Sequence, residues 1–146
     1  MERKEFIRAS CNACLLLAAG YLLPTLAGCA SGYSVFKTSV VNKQITVPLT
    51  MFDKSALQLV RPQGWLYDIA VEKRENGSFA ALLLQCTHQE NQLKIDGNGF
   101  HCSLHGSEFD KNGNVTKGPA ERPLHQYKTF VDNDHLIIQI LKSPQS

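Results

Sequence analysis

The sequence predicts an all-β domain, a sandwich of small antiparallel sheets. Short runs rich in β-branched, aromatic and aliphatic residues alternate with turn residues from residue 44 onwards. After residue 30 no segment has the apolar periodicity of a helix. Asn76-Gly77 separates two of the apolar runs and favours a tight hairpin turn, because both residues tolerate positive φ angles. Together these observations indicate a domain built from strands.

The predicted strands follow one another closely and pair mostly with their neighbours in the chain. The run before Asn76 should pair with the run after it, and a turn at 97–99 should form a second hairpin. Residues 111–113 and 132–134 should turn two more hairpins. In chain order the predicted strands are 44–49, 56–60, 65–72, 79–85, 92–95, 100–101, 108–109, 115–116, 126–131 and 136–141.

Two mixed pairs of metal-binding residues follow the fourth predicted strand, whose residues 80–84 are apolar on both faces. Cys86 and His88 form one pair, and Cys102 and His105 form the other. A zinc finger usually pairs cysteine with cysteine and histidine with histidine, so zinc is the alternative. Mixed pairs suit a two-iron cluster better, with both cysteines on one iron and both histidines on the other. The central strand would aim the first pair at the metal.

The two motifs resemble the cluster-binding loops of the Rieske family. Residues 86–88 read CTH, residues 102–107 read CSLHGS, and FD follows at 109–110. Residues 118–124, GPAERPL, resemble the proline-containing loop that covers the cluster in family members from cytochrome bc-type complexes. The resemblance implies a Rieske-like sandwich with a 2Fe-2S cluster at one tip, held by the four Cys and His residues of the motifs and covered by the loop around Pro119. His101, His125 and His135 lie outside the motifs and are expected to be surface or half-buried residues.

The chain departs from the high-potential branch of this family at three places. Besides its ligand cysteine, each loop of that branch has an extra cysteine, and the two extra cysteines are joined as a disulfide; this chain has Asn91 and either Ser103 or Leu104 at those positions. The segment between the ligand pairs is also shorter than usual. Where high-potential members have a tyrosine whose hydroxyl reaches a ligand sulfur, this chain has Phe109. The resemblance therefore implies a reduction potential in the lower or middle part of the Rieske span of roughly −150 to +300 mV.

Two further residues of the second motif have expected roles around the cluster. In the family, the serine at the position of Ser107 donates a hydrogen bond to a cluster sulfur. Gly106 is expected to let the backbone pass close to the metal, because glycine has no side chain to obstruct it.

The N-terminus resembles a bacterial lipoprotein signal. Charged residues at the start, an apolar stretch around 15–19 and the residues Leu26, Ala27 and Gly28 precede Cys29. The apolar stretch is too short to span a bilayer permanently and is interrupted by Gly20 and Pro24. The prediction is an export signal at 1–28, a lipid anchor on Cys29 with a tether over 29–43, and the Rieske domain over 44–146.

The predicted location of the protein is the outer side of a bacterial membrane, on the periplasmic or extracytoplasmic side. Residues 3–8, RKEFIR, resemble the twin-arginine export motif with Lys4 in place of the second arginine, so the general secretory route stays open. Cys11 and Cys14 lie in the segment that would be removed and receive no redox role.

Composition and motifs favour electron transfer over other activities. The net charge is +2 with no run of like charges, so no nucleic-acid partner is expected. No catalytic constellation accompanies the metal motifs, which favours an electron carrier or a subunit of an oxidoreductase over a self-sufficient enzyme, with a redox protein or membrane complex as partner. The alternatives are a quinol-oxidising subunit of a cytochrome bc-like complex, supported by the 118–124 loop, and a non-redox zinc domain. An oxygenase ferredoxin shares disulfide-free loops, but the export signal argues against it.

Overall fold

The computed structural model of the chain describes residues 33–142, and this part contains strands and one 3-10 turn but no α-helix. The all-β prediction is confirmed. The turn spans Leu49–Phe52. The strands are β1 (Val35–Thr38), β2 (Gln44–Pro48), β3 (Leu57–Pro62), β4 (Ile69–Lys73), β5 (Phe79–Leu83), β6 (Lys94–Asp96), β7 (Gly99–His101), β8 (Glu108–Asp110), β9 (Val115–Lys117), β10 (Gln126–Asp132) and β11 (His135–Gln139).

The larger sheet has seven strands in the order β1-β3-β4-β5-β10-β11-β2 and curves into a near-barrel. Every neighbouring pair is antiparallel except β1 and β3, which run parallel. Alternate residues such as Ile45 and Val47 of β2 or Leu136 and Ile138 of β11 are fully buried inside. This first core is the body of the domain.

The smaller sheet is an antiparallel meander in the order β6-β7-β8-β9. It belongs to a second core, to which β5 contributes Leu82 and the residue just beyond its end, Leu84, while Leu83 points into the first core. Strand β5 is therefore central and apolar on both faces, as predicted. Both motif cysteines belong to the second core.

The predicted hairpins are confirmed by the strand pairing. The Asn76-Gly77 turn joins β4 to β5, with Val71 opposite Ala81, and β6–β7, β8–β9 and β10–β11 pair as expected. The third predicted strand starts too early, at Trp65. The Trp65 N–H donates instead to the Pro62 carbonyl at 3.1 Å, which closes a turn, and β4 begins at Ile69.

The predicted start of the domain at residue 44 is too late. Strand β1 lies inside the predicted tether of 29–43, yet Val35 to Thr38 pair with Leu59 to Pro62 of β3. The sequence gives little sign of this strand, because its partner lies more than twenty residues away. The predicted signal at 1–28 and the lipid site at Cys29 lie outside the described residues. Among residues 33–142 no helix is both long and apolar enough to cross a bilayer.

Candidate metal centre

The first ligand loop, residues 86–91, follows β5 and returns toward β6. The Cys86 N–H donates to the Asn91 carbonyl at 2.9 Å, and Gln85 and Gln92 form a bridge beneath the loop. Cys86 is buried, whereas His88 at the crest of the loop is exposed. The loop thus presents its sulfur from inside the domain and its imidazole at the surface.

The second ligand loop, residues 102–107, joins β7 to β8 and closes on its own backbone. The Cys102 N–H donates to the Ser107 carbonyl at 2.8 Å, and the Gly106 N–H donates to the Cys102 carbonyl at 2.9 Å. Gly106 has φ +81°, a left-handed conformation that L side chains rarely adopt. Glycine at this position is therefore required by the backbone conformation of the loop. Cys102 is buried and His105 is exposed, so this loop repeats the arrangement of the first.

The two loops bring the two predicted histidine ligands near each other and place the two predicted cysteine ligands in the same core. The imidazole rings of His88 and His105 lie 5.1 Å apart between centroids and are nearly perpendicular. Both cysteines are unpaired and buried in the second core. Among the described residues, no three His, Cys, Asp or Glu side chains are gathered as ligands around one ion. The site consists of a buried sulfur pair beneath an exposed imidazole pair.

Several hydrogen-bond donors converge on Cys102. Burial opposes ionisation of its thiol, but the backbone N–H groups of His105 and Leu104, the Asn91 side chain and the Cys86 thiol together lower its pKa below the usual value. The Asn91 Nδ2 atom lies 3.5 Å from the Cys102 Sγ atom. The lower pKa makes the thiolate, which is the form that binds metal, easier to reach.

The proline loop, residues 118–124, is attached to both ligand loops. The Ala120 N–H donates to the Ser107 Oγ at 3.0 Å in a buried contact. The Thr87 hydroxyl donates to the Arg122 carbonyl at 2.6 Å, and the Arg122 guanidinium donates to the Thr87 carbonyl at 3.4 Å. Pro119 follows a cis peptide bond and is itself exposed. The loop position implied by the family resemblance agrees with these contacts.

Ser107 and Phe109 both lie under the site. Ser107 is completely buried, and its hydroxyl oxygen accepts the Ala120 N–H, which leaves the hydroxyl proton free to be donated elsewhere. Phe109 is 2% exposed and packs in the same core as the two cysteines. Its phenyl ring has no hydroxyl and therefore carries no hydrogen-bond donor.

The remaining histidines stand apart from the four ligands. His101 is half-buried in β7, His125 contacts the ring of Tyr127 at 4.5 Å between centroids, and His135 is exposed at the start of β11. Burial, with a smaller contribution from the positive charge of Lys142, lowers the pKa of His125. These positions agree with their prediction as surface or half-buried residues.

Sequence reasoning missed a half-buried ion pair at Asp68, a residue whose backbone supports the first ligand loop. Asp68 is 5% exposed and accepts two hydrogen bonds from Arg61, at 2.6 and 2.8 Å. The Asp68 carbonyl accepts the Leu84 N–H at 2.8 Å, and its own N–H donates to the Gln92 side chain at 3.0 Å. Asp68 therefore touches the chain on both sides of the loop. Nothing in the local sequence signals this role, because the partners come from three separate strands or loops.

Comparison with known proteins decides the family. The model of the Rieske [2Fe-2S] domain matches residues 32–128, which cover both ligand loops and the proline loop. The chain belongs to the Rieske [2Fe-2S] domain family. It is 31% identical, over 120 residues, to the cytochrome b6-f complex iron-sulfur subunit of Synechococcus sp. strain JA-2-3B'a(2-13), covering 80% of this chain and 69% of that subunit.

Solved structures show the same fold. The cyanobacterial plasma membrane Rieske protein PetC3 from Synechocystis PCC 6803 matches with a TM-score of 0.55 and 25% identity, over 65% of this chain and 98% of that one. A naphthalene 1,2-dioxygenase, only 17% identical, matches with a TM-score of 0.54 over 73% of this chain and 28% of the dioxygenase chain. The second likeness concerns the fold alone.

The Rieske domain binds a 2Fe-2S cluster and supports electron transfer, and the residues at the tip fit that cofactor. Two buried sulfurs and two exposed imidazoles match the unequal ligand sets of the two irons. When bound, the cluster accepts and releases one electron at a time.

Proposed function

We propose that Cys86 and Cys102 hold one iron of the cluster, that His88 and His105 hold the other, and that the chain is an exported, membrane-anchored electron carrier or oxidoreductase subunit. The observation that carries the proposal is the sorting of ligands by depth, with both cysteines at or below 3% exposure and both histidines exposed. The two exposed imidazole rings at the tip are the natural contact for a redox partner.

The protein groups around the ligands have separate tasks in this account. The backbone N–H groups of the second ligand loop and the Asn91 side chain point at sulfur, where they stabilise added negative charge. The proline loop, attached through Ala120 and Arg122, covers the site on one side. Water exclusion and fixed donors lower the reorganisation that accompanies a change of charge.

The ligand assignment is tested by cofactor analysis of point variants. Wild-type protein should contain two irons and two inorganic sulfides per chain, as a cluster with two ligand sets requires. His88→Cys or His105→Cys should change the visible spectrum and lower the reduction potential, since an anionic thiolate favours the oxidised irons more than a neutral imidazole does.

His135→Cys is the matched control, because it places the same thiol at an exposed histidine on another part of the surface. It should leave iron content, spectrum and potential unchanged. A colourless protein with one zinc per chain, produced in a host that assembles clusters, would refute the assignment.

The membrane anchor rests on the sequence LAGC at 26–29. The mature chain should begin at Cys29 and carry lipid on its sulfur, and further acyl chains would make the attachment stable. Cys29→Ala should move the protein from the membrane to the soluble fraction, while Cys11→Ala should not. Mass spectrometry showing residues 1–28 still present, or Cys29 unmodified, would contradict the anchor.

A second candidate function is quinol oxidation within a cytochrome bc-like complex. Relatives named as cytochrome b6-f iron-sulfur subunits favour it. An open cleft of about 840 Å³ also lies beside the first ligand loop, and His88, Arg122 and His125 are among its lining residues. Native membranes should then yield the chain in a complex with a b-type cytochrome, and that complex should reduce the cluster with quinol. Isolation of the chain with a soluble redox protein alone would favour the carrier.

A further inference from the structure

Asn91 contacts both cysteines of the site. Its backbone carbonyl accepts the Cys86 N–H at 2.9 Å, and its side-chain Nδ2 atom lies 3.5 Å from the Cys102 Sγ atom, within the range of an N–H···S hydrogen bond. One residue thus connects the first ligand loop, to which it belongs, with the sulfur of the second. Apart from the Cys86 thiol itself, no other side chain found in residues 33–142 donates a hydrogen bond to a cysteine sulfur of the opposite ligand loop.

The orientation of the Asn91 amide is fixed by a second contact. The same Nδ2 atom lies 3.3 Å from the Gln92 carbonyl oxygen, which can only accept a hydrogen bond. Turning the amide over would place two oxygens against each other. The amide nitrogen therefore faces both the carbonyl and the sulfur, and each of its two hydrogens has an acceptor.

Asn91 also stands at one of the positions where a disulfide cysteine is expected in the high-potential branch. Cys86 and Cys102 are free thiols in the structure, and Leu104 in the opposite loop is 55% exposed. No covalent link joins the two ligand loops within residues 33–142. The contact from Asn91 to Cys102 is a non-covalent connection between the same two loops.

We propose that Asn91 is a positioning residue that joins the two ligand loops and raises the reduction potential through its hydrogen bond to Cys102. The proposal rests on the ligation of the cluster by Cys102. When the cluster takes up one electron, the added negative charge is shared with its ligand sulfurs, and a donor aimed at sulfur stabilises it. No bond at Asn91 forms or breaks, and no proton moves.

Two substitutions separate the hydrogen bond from the space that Asn91 fills. Asn91→Leu keeps the branching at Cγ without a donor, and Asn91→Asp replaces the donor by a carboxylate that repels the sulfur. Both should lower the reduction potential measured by protein-film voltammetry, with Asp giving the larger shift. Asn98→Asp is the matched control, because Asn98 is exposed in the hairpin turn between β6 and β7. It adds the same charge and should leave the potential near that of the wild type.

A spectroscopic measurement distinguishes a hydrogen bond from mere loop packing. In resonance Raman spectra, the iron–cysteine sulfur stretching bands of the wild type should shift on exchange into D₂O, and the shift should be smaller in Asn91→Leu. That variant should also release iron faster than the wild type, because the loops lose their connection.

The possible outcomes separate this proposal from the ligand assignment. If wild-type protein lacks a 2Fe-2S spectrum, or if Cys102→Ser leaves that spectrum unaltered, the ligand assignment fails and the proposal fails with it. If the cluster is intact in Asn91→Leu while the potential and the D₂O shift both equal those of the wild type, only the role of Asn91 is overturned.

Discussion

Both ligand loops are closed by backbone hydrogen bonds of their own, but they are supported from outside by different parts of the domain. Beneath the first loop, the Asp68 carbonyl accepts a hydrogen bond from the Leu84 N–H, and the Asp68 N–H donates to the Gln92 side chain. Leu84 and Gln92 lie on opposite sides of the loop. In the second, the Cys102 N–H and carbonyl are both satisfied within residues 102–107. The difference teaches that a change at Asp68 should act through the first loop, whereas a change in the proline loop should also reach the second loop through Ala120 and Ser107.

The largest expected effect comes from the ion pair under the first loop. Asp68→Asn removes a charge that is 6% exposed and leaves Arg61 without its partner. Breaking a buried pair typically costs about 3–5 kcal/mol. Because the Arg61 side chain is 38% exposed and can be rehydrated, we expect about 2 kcal/mol of lost unfolding free energy in urea titrations.

Glu108→Gln is the control for Asp68→Asn on the side of the second loop. The pair between Glu108 and Lys117 has the same kind of charges, but its side chains are 48% and 62% exposed. Exposed pairs contribute roughly 0–1 kcal/mol, so this substitution should scarcely change stability. Equal losses of unfolding free energy from the two variants would show that the burial of Asp68 does not make its ion pair more important for stability than the exposed pair.

A smaller effect is expected from the glycine turn of the second loop. Gly106 has φ +81°, and Gly77, in the hairpin turn between β4 and β5, has φ +80°; no atom lies within 4 Å of an added Cβ at either position. Alanine in the left-handed region costs roughly 1–2 kcal/mol. Gly106→Ala and Gly77→Ala should therefore lose similar stability, measured as the urea midpoint.

Only the Gly106 variant should alter the visible spectrum, because Gly106 lies between His105 and Ser107. A spectrum that changes equally in both variants would mean that general destabilisation, and not the shape of the second loop, controls the cluster.

The smallest change is expected from single hydrogen-bond donors around the sulfurs. Phe109→Tyr should raise the reduction potential and Ser107→Ala should lower it, each by an amount modest beside the span of roughly −150 to +300 mV. Phe100→Tyr is the control, because Phe100 lies directly opposite Phe109 on β7 and points into the same core. If the reduction potential shifts equally in Phe109→Tyr and Phe100→Tyr, the shift is caused by altered core packing and not by a hydrogen bond to sulfur.

Local signals predicted most of the fold. The hairpins were readable because turn residues such as Asn76-Gly77 mark where two strands meet, although only Gly77 of this pair has a positive φ. Strand β5 was readable as central because both of its faces are apolar. Strand β1 was missed because its pairing with β3 joins distant segments. The start of β4 was misplaced because Trp65, a residue that favours strands, is held in a turn by Pro62.

The four candidate ligands were identified from two short motifs; the structure brings the rings of His88 and His105 near each other and places Cys86 and Cys102 in one core, and the ligand assignment itself stays a prediction. The residues that support the two ligand loops could not be identified from the sequence in the same way. Asp68 looks like an ordinary polar residue before a strand, and its partnership with Arg61 depends on how β3 lies beside β4. Asn91 was recognised as a departure from the cysteine pattern, but its contact with Cys102 depends on the relative position of two loops.

The most direct test of the central claim is a Mössbauer spectrum of the protein grown on ⁵⁷Fe. With Cys86 and Cys102 on one iron and His88 and His105 on the other, the oxidised protein should show two different iron sites in equal amounts. Reduction by one electron should convert a single site to the ferrous state. Two equivalent irons, or protein that binds no iron in a host competent for cluster assembly, would contradict the account.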